Sequence, residues 1–220
     1  MRPDAIVHNF QDSLNQSLDI AGEADWVLFY REVWPELLAI VRVDADSDLQ
    51  RSGTDRIIWL PNRRQITIDE KCRKKDYRDI ALELSHGDHA GADFKAKTHG
   101  WATDLKKQCD FVAYAIPASK KCYLLPLSIV RLAIRRNLDQ WKARSVTVCN
   151  QRNSVGIVYP IDAPNEWKGR RWTTRNICVT WDVLGPAIMS EMERSRSGGI
   201  ELPPSRIVSG GKQLEFDWSK

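Results

Sequence analysis

Two aspartates and one lysine, Asp55, Asp69 and Lys71, have the types and the spacing that a metal-dependent reaction needs. Asp69 and Lys71 are two residues apart in a predicted strand, so their side chains share one face. Asp55 stands at the beginning of the preceding predicted strand, directly after Gly53-Thr54. Two carboxylates that converge form a site for a hard cation, and the lysine would place an ammonium group beside it.

A predicted β-hairpin positions these three residues. Ile57–Leu60 is an apolar run, Pro61-Asn62 interrupts it with turn-forming residues, and Gln65–Cys72 alternates apolar and polar side chains. Glu70 faces the other side of this second strand. The residues leave one alternative open, which is a structural hairpin whose charged face is only solvated.

The arrangement resembles the PD-(D/E)XK superfamily of restriction-endonuclease-like phosphodiesterases. Asp55 is followed after thirteen residues by Asp69-Glu70-Lys71, which matches the spacing of that motif. The segments LQRSGTD and ITIDEK are also similar to those of phage and bacterial members of the superfamily. The resemblance covers about residues 20–137 and does not explain the remainder of the chain.

This resemblance implies a Mg²⁺-dependent deoxyribonuclease, with Mn²⁺ as a possible substitute and DNA as the partner, although RNA stays open. Asp55 and Asp69 would bind the metal together with the backbone carbonyl of Glu70. Lys71 would orient or help to deprotonate the attacking water and offset charge on the phosphorane. The metal set therefore includes Glu70 through its backbone, while its side chain faces away.

Glu83 is a further candidate for the site. It lies in the predicted strand Asp79–Ser85, in which apolar and more polar side chains alternate. A buried glutamate needs a partner, and a metal or the Lys71 ammonium would provide one. Similar sequences carry a glutamate after the D-x-K strand, so the resemblance adds Glu83 to the catalytic and metal-binding residues.

Basic and polar residues in three places predict contacts with DNA. They are Arg73 and Lys74 after the hairpin, Lys106, Lys107 and Gln108 before a later predicted strand, and Arg170 and Arg171 in the segment NEWKGRRWTTR. At the positions of Lys106, Lys107 and Gln108, similar sequences have polar residues that lie near the phosphates. The third mixes cations with tryptophans, which suits phosphates and unstacked bases. A surface loop held in place by those tryptophans explains it equally well.

Length and composition narrow the class of protein. The 220 residues are 42% hydrophobic with a net charge of +4, which permits a nucleic-acid partner only where the cations cluster. No apolar run reaches the ~20 residues that span a bilayer, and the N-terminus lacks a signal-peptide pattern. The five cysteines are widely spaced and odd in number, which indicates reduced thiols and a cytoplasmic protein with no membrane partner.

The order of predicted elements indicates an α/β fold with a central mixed β-sheet flanked by helices, and the resemblance refines this to a restriction-endonuclease-like sheet. Helices are predicted over 12–34 and Leu127–Ala143, and a long loop over 86–103. We expect one domain over 1–195, followed by an extended tail over 196–220.

The main rival is a nucleic-acid-binding module on the same fold without catalysis. The intact Asp55, Asp69 and Lys71 argue against it, because a decayed site would be expected to lose one of them. No Gly-rich phosphate-binding loop with the pattern G-x-x-x-x-G-K-[ST] occurs in the sequence, so a fused motor is not expected.

Overall fold

A computed structural model describes residues 8–9, 25–45, 47–146, 156–197 and 214–215. These residues form two compact units, and each unit has its own sheet. The first unit consists of the described residues within Met1–Asp19, Tyr77–Asp104 and Ile134–Leu184, and the second of those within Ile20–Asp76, Leu105–Ala133 and Gly185–Lys220.

The helices and strands follow one another in a mixed order. In chain order they are β1 (His8–Asn9), α1 (Trp26–Val33), β2 (Ala39–Arg42), α2 (Asp48–Arg51), β3 (Arg56–Leu60), β4 (Arg64–Cys72), β5 (Asp79–Asp88), β6 (Lys95–His99), β7 (Phe111–Ile116), β8 (Lys121–Pro126), α3 (Leu127–Arg144), β9 (Ile157–Trp167), β10 (Arg170–Thr180), α4 (Trp181–Ser197) and β11 (Leu214–Glu215).

The sheet of the second unit carries the predicted hairpin. Its strand order is β11-β8-β7-β4-β3-β2, with β4 antiparallel to β3 and parallel to β7. The hairpin prediction is confirmed, since β3 and β4 pair with Ile58 opposite Ile66. The turn needs a left-handed backbone at Asn62 and Arg63, whose φ angles are 64° and 60°. Asparagine tolerates this conformation better than most residues.

Helix α1 covers one face of this sheet. Asp25 is its N-cap, and the Asp25 Oδ1 accepts the Leu28 N–H at 2.8 Å. Three of the helix's aromatic side chains are buried at helical spacing, namely Trp26, Phe29 and Tyr30. They pack in one apolar cluster with residues of β3, β4 and β7. This burial fixes which face of β4 belongs to the core.

The sheet of the first unit has the strand order β1-β9-β10-β5-β6. All of its pairings are antiparallel except that of β1 with β9. The predicted loop over 86–103 is wrong, because β5 continues to Asp88 and Lys95–His99 forms strand β6. Every residue of β6 is exposed. Its pairing with β5 therefore rests on backbone hydrogen bonds rather than on an apolar pattern that a sequence could reveal.

The α/β class is confirmed in its general form, with a mixed sheet and a mainly antiparallel sheet flanked by helices. The single central sheet is replaced by two sheets. The predicted helix over 12–34 begins only at Trp26, and its first part lies outside the described residues. Most of the predicted tail also lies outside them. Within the described ranges, no helix combines the length and the apolar character that crossing a membrane requires.

Candidate active site

Asp55 is held at the point where the pairing of β3 with β4 ends. Its backbone N–H donates to the Ile68 carbonyl at 2.8 Å, and its Oδ2 accepts the Glu70 N–H at 2.7 Å. Just before it, Gly53 adopts a φ of 88°, and a Cβ there would lie 2.8 Å from Cδ of Lys107. The Asp55 side chain thus satisfies a backbone donor of β4 where the ladder of β3 has stopped.

Asp69 and Lys71 lie together on one face of β4, as their spacing predicts. Lys71 Nζ donates to Asp69 Oδ1 at 2.5 Å, and the side chains are 34% and 5% exposed. Burial raises the pKa of Asp69 to about 6, although the Lys71 ammonium opposes this increase. The ion pair therefore joins a buried carboxylate to a partly exposed cation.

Asp55 completes the arrangement as a second carboxylate. It lies within hydrogen-bonding reach of Asp69, and both its charge and this contact raise the Asp69 pKa further. Asp69 thus lies between the Lys71 ammonium and a second carboxylate, and a proton or a hard cation would offset the repulsion between the two acids. Mg²⁺ is commonly held by one or two carboxylates with water and substrate phosphates as its other ligands. The donor set fits that ion.

A larger cluster of ligands is not found. Among the described residues, no group of three or more histidine, cysteine, aspartate or glutamate side chains could hold a metal. The predicted involvement of Glu70 through its carbonyl would add a backbone oxygen to the two carboxylates. Within the part of the chain that the structure describes, the predicted metal site accordingly has two acidic side chains, Asp55 and Asp69.

The Glu70 side chain is engaged on the opposite face of β4. Its Oε1 accepts the Tyr30 hydroxyl at 2.8 Å and the Arg56 Nε at 2.9 Å. Burial raises the pKa of Glu70, while the Arg56 cation and the Tyr30 hydrogen bond lower it. Burial and the Glu70 charge also raise the pKa of Tyr30. This carboxylate forms a part-buried ion pair with Arg56, which holds β4 beneath α1.

Sequence reasoning missed the partners of Glu70 and the residues behind Asp69. Tyr30 and Arg56 are 40 and 14 residues away from Glu70, so no local pattern connects them. The buried Cys109 lies close enough to Asp69 for the carboxylate charge to act on it, and burial followed by that charge raises its thiol pKa to about 12. Arg131 of α3 donates to the Lys107 carbonyl at 2.9 Å and also acts on Cys109.

Glu83 belongs to the first unit and has its own partners there. Its Oε1 lies 2.9 Å from His86 Nε2 and accepts the Trp101 N–H at 3.3 Å. The hydrogen bond to Glu83 raises the pKa of His86, although burial opposes it. His86 Nδ1 is 3.2 Å from the Thr174 hydroxyl. The role of Glu83 in catalysis or metal binding stays a prediction, and its local role is to hold His86 and the backbone of Trp101.

The predicted DNA-contacting residues of the second unit differ in their surroundings. Lys74, Lys106 and Gln108 are exposed, whereas Arg73 and Lys107 are partly buried. Lys107 Nζ donates to the Arg51 carbonyl at 2.8 Å, and the Gln108 N–H donates to the Ser52 carbonyl at 3.0 Å. Lys107 and the Gln108 backbone therefore hold the loop that delivers Asp55.

Arg170 and Arg171 lie in the first unit at the tip of the β9–β10 hairpin. Both are exposed, and Arg171 Nε lies 2.7 Å from Glu166 Oε2. The described turn between the two strands consists of Lys168 and Gly169, with φ angles of 47° and 73°. Their segment forms a regular hairpin, with Trp167 opposite Arg170.

Comparison with known proteins adds no relative. No family model, no curated protein and no solved structure matches this chain. Membership of the PD-(D/E)XK superfamily therefore stays a prediction, and the functional interpretation rests on the residues and the geometry of the second unit.

Proposed function

We propose that this chain is a Mg²⁺-dependent nuclease of the PD-(D/E)XK type that hydrolyses phosphodiester bonds in DNA. One observation carries the proposal, which is the convergence of Asp55, Asp69 and Lys71 in one place. Asp55 directly precedes β3, and Asp69 and Lys71 lie in β4. They are brought together by the pairing of β3 with β4, by the Asp55 bond to the Glu70 N–H and by the Asp69–Lys71 ion pair.

In this proposal the carboxylates of Asp55 and Asp69 are the metal ligands. Asp69 is 4% exposed, so its charge lies in a low-dielectric environment where a neighbouring cation interacts strongly. Asp55 is held in a fixed orientation by its bond to the Glu70 N–H. When Mg²⁺ is bound, it polarises the scissile phosphate and lowers the pKa of a bound water.

Lys71 provides a cation that is held in position beside the attacking water and the phosphate. Its ammonium is anchored by Asp69 and is still partly exposed, so it can reach both a water molecule and a phosphate oxygen. The water oxygen attacks phosphorus, its proton passes to a neighbouring base or to solvent, and the bond to the leaving oxygen breaks. Positive charge held beside the phosphorane lowers the barrier, because that charge is needed most in the transition state.

In this proposal, exposed lysines of the second unit contact the phosphates of DNA. Lys74 and Lys106 are exposed in the second unit, and cations of this kind dominate affinity for DNA. Lys107 has a structural part, since its ammonium is bound to the Arg51 carbonyl. Glu83 is not assigned to the mechanism here.

A binding module without catalysis is the second candidate. It is favoured by the lack of a third acidic ligand beside Asp55 and Asp69 in the described chain. In that case the two carboxylates and Lys71 would only stabilise the contact between β3 and β4. A metal ion would then neither change the affinity for DNA nor cause cleavage.

The two candidates are separated by a cleavage assay. Labelled linear and circular DNA are incubated with the protein in Mg²⁺, in Mn²⁺ or in EDTA. Cleavage with either metal, its loss in EDTA, and its loss in Asp69→Asn would support the nuclease. Binding of DNA without cleavage in both metals would overturn the nuclease and leave the binding module. Cutting of circular DNA would additionally identify an endonuclease.

A further inference from the structure

From Trp167 to Arg170 the β9–β10 hairpin extends as a short two-stranded ribbon, because the described pairing of β9 with β1 ends at Glu166. Strand β10 pairs with β5 only from Thr173 onward, whereas its pairing with β9 begins at Arg170. The turn of Lys168 and Gly169 has both φ angles positive, as in the tight turns whose twist matches that of a hairpin. The segment from Trp167 to Arg171 is therefore presented on a regular, short-looped ribbon and is exposed throughout.

The chemistry of this tip is aromatic and cationic. Trp167 is 39% exposed, in contrast with Trp26, Trp34, Trp101 and Trp141, which are at most 8% exposed. The Lys168 ammonium lies 4.6 Å from the centre of the Trp167 ring. Trp59 in β3 is similarly exposed, so the neighbouring cations Lys168 and Arg170, and not exposure alone, distinguish Trp167 as a ligand-binding residue.

The charges at the tip are unbalanced. Between Ala163 and Thr174 the sequence has Glu166 as its one acid against Lys168, Arg170 and Arg171. Glu166 pairs with Arg171, and within the described residues Lys168 and Arg170 have no carboxylate partner. Two cations that flank an exposed indole match a strand whose phosphates alternate with bases.

We infer that this ribbon tip binds single-stranded DNA, with Trp167 stacking on an unpaired base and Lys168 and Arg170 contacting the adjacent phosphates. An unpaired strand is favoured over a duplex because only an unstacked base offers its face to an indole. The inference rests on the proposed function for its choice of DNA, but the contact itself needs no metal and no cleavage.

The test measures binding separately from cleavage. Fluorescence anisotropy of a short labelled single strand, and of the duplex of the same sequence, is recorded in EDTA for the parent and for Trp167→Ala. The control is Trp59→Ala, which removes a tryptophan of similar exposure from β3. Trp167→Ala should weaken binding to the single strand about fivefold or more, since stacking on a base has that value. Trp167→Phe should restore most of it.

The charges are tested with a second matched pair. Arg170→Ala should reduce the slope of log affinity against log salt by about 0.7 for the single strand. Arg135→Ala, which removes an exposed arginine from α3, should leave that slope unchanged. Equal binding by Trp167→Ala and Trp59→Ala would overturn the inference, as would a parent protein that binds no single strand in EDTA.

Failure of the inference and failure of the proposed function give different results. A parent that cuts DNA in Mg²⁺ while Trp167→Ala binds normally would remove the ribbon contact and leave the nuclease. A parent that never cuts DNA while Trp167→Ala binds more weakly would support the ribbon contact and remove the nuclease. Weakened duplex binding of Arg170→Ala, with no effect of Trp167→Ala on either substrate, would also overturn stacking.

Discussion

The two faces of β4 each carry a carboxylate beside a cation, and the two pairs differ in what surrounds them. On the core face, Glu70 bonds to Arg56 and Tyr30 beneath α1. On the other face, Asp69 bonds to Lys71 and has Asp55 beside it. On the core face one acid has one cation and one hydroxyl, whereas on the other face the acid that bonds to the cation also has a second acid beside it.

This difference distinguishes an ion pair that stabilises the fold from the ion pair to which we assign a part in the proposed reaction. The Glu70 and Arg56 side chains are 12% and 18% exposed, so neither can reach far into solvent. Lys71 is 34% exposed, and the second carboxylate leaves negative charge on its face of the strand. Adjacent residues of one strand can therefore have different roles, because their side chains lie on opposite faces of the sheet, which differ in charge and in solvent exposure.

The largest expected effect is on the rate of cleavage. Lys71→Ala should lower the rate about a hundredfold or more while DNA binding changes little, because a positioned cation acts mainly in the transition state. Single-turnover cleavage in Mg²⁺ measures the rate, and filter binding measures affinity. Lys95→Ala, in the exposed strand β6, is the control and should cut at the parental rate. A Lys71→Ala protein that cuts as fast as this control would remove the distinction between the two faces.

The core face should respond in stability. Glu70→Gln leaves Arg56 largely buried without its counter-charge, and breaking such a pair from one side costs about 3 kcal/mol or more. Urea denaturation at neutral pH measures the free energy of unfolding. Glu32→Gln changes an exposed glutamate of α1 and should stay within about 0.5 kcal/mol of the parent.

A double substitution makes this test sharper. Replacing Glu70 and Arg56 together with methionine removes both charges, so most of the lost stability should return. If Glu70→Gln were no more harmful than Glu32→Gln, the core face would not depend on its ion pair. Strand alternation alone would make Glu70→Gln a neutral control for catalysis, and the structure makes it a stability variant instead.

Local pattern predicted the parts of the site that depend on local geometry. The placement of Asp69 and Lys71 on one face of β4 follows from their separation of two residues, and the β3–β4 hairpin follows from its apolar runs and its turn. The Tyr30 and Arg56 contacts with Glu70 are tertiary, and nothing in the local sequence encodes them. Because these contacts were not predicted, the sequence indicated no role for the Glu70 side chain.

The first unit was harder to predict for a different reason. Strand β9 contains Pro160 and Pro164, which normally argue against a strand, yet its described pairing is mainly with β10 on one side, and a proline is tolerated where no N–H donor is needed. Strand β6 has almost no apolar residues. Patterns of burial cannot reveal a strand that backbone pairing alone maintains. Which strands pair with one another is set by long-range contacts that local patterns do not encode, and the structure has two sheets where one was expected.

The Asp69 face should show its charge in the pH dependence of stability. The pKa of Asp69 is about 6 in the fold against an ordinary value of 3.8. A raised acid pKa means that its contribution to stability is complete below about pH 4 and is lost as pH rises through about 6. Ionisation of Asp69 in the metal-free protein therefore costs roughly 3 kcal/mol.

Asp69→Asn removes this cost because asparagine stays neutral. The free energy of unfolding of Asp69→Asn minus that of the parent, measured in EDTA by urea denaturation, should increase between about pH 4 and about pH 7.5. Asp139→Asn, on the exposed surface of α3, is the control for a surface carboxylate, and its difference should stay flat. A flat difference for Asp69→Asn as well would mean that the carboxylate pair is not strained, and the contrast with the core face would weaken.

The smallest expected effect is on the salt dependence of DNA binding. It tests whether the surface that contacts phosphates extends from Lys71 to Lys74, past the end of β4. Lys74 follows the strand and is exposed, whereas Lys107 in the neighbouring loop is tied to the Arg51 carbonyl and packs against Gly53. Lys74→Ala should reduce the slope of log affinity for duplex DNA against log salt by roughly 0.9, the value of one lost phosphate contact. Lys107→Ala should leave that slope unchanged and lower the melting temperature instead, because its ammonium stabilises the loop that delivers Asp55. If Lys107→Ala reduced the slope and Lys74→Ala did not, the phosphate path would run over the Asp55 loop, and the cationic surface beside Lys71 would end with the strand.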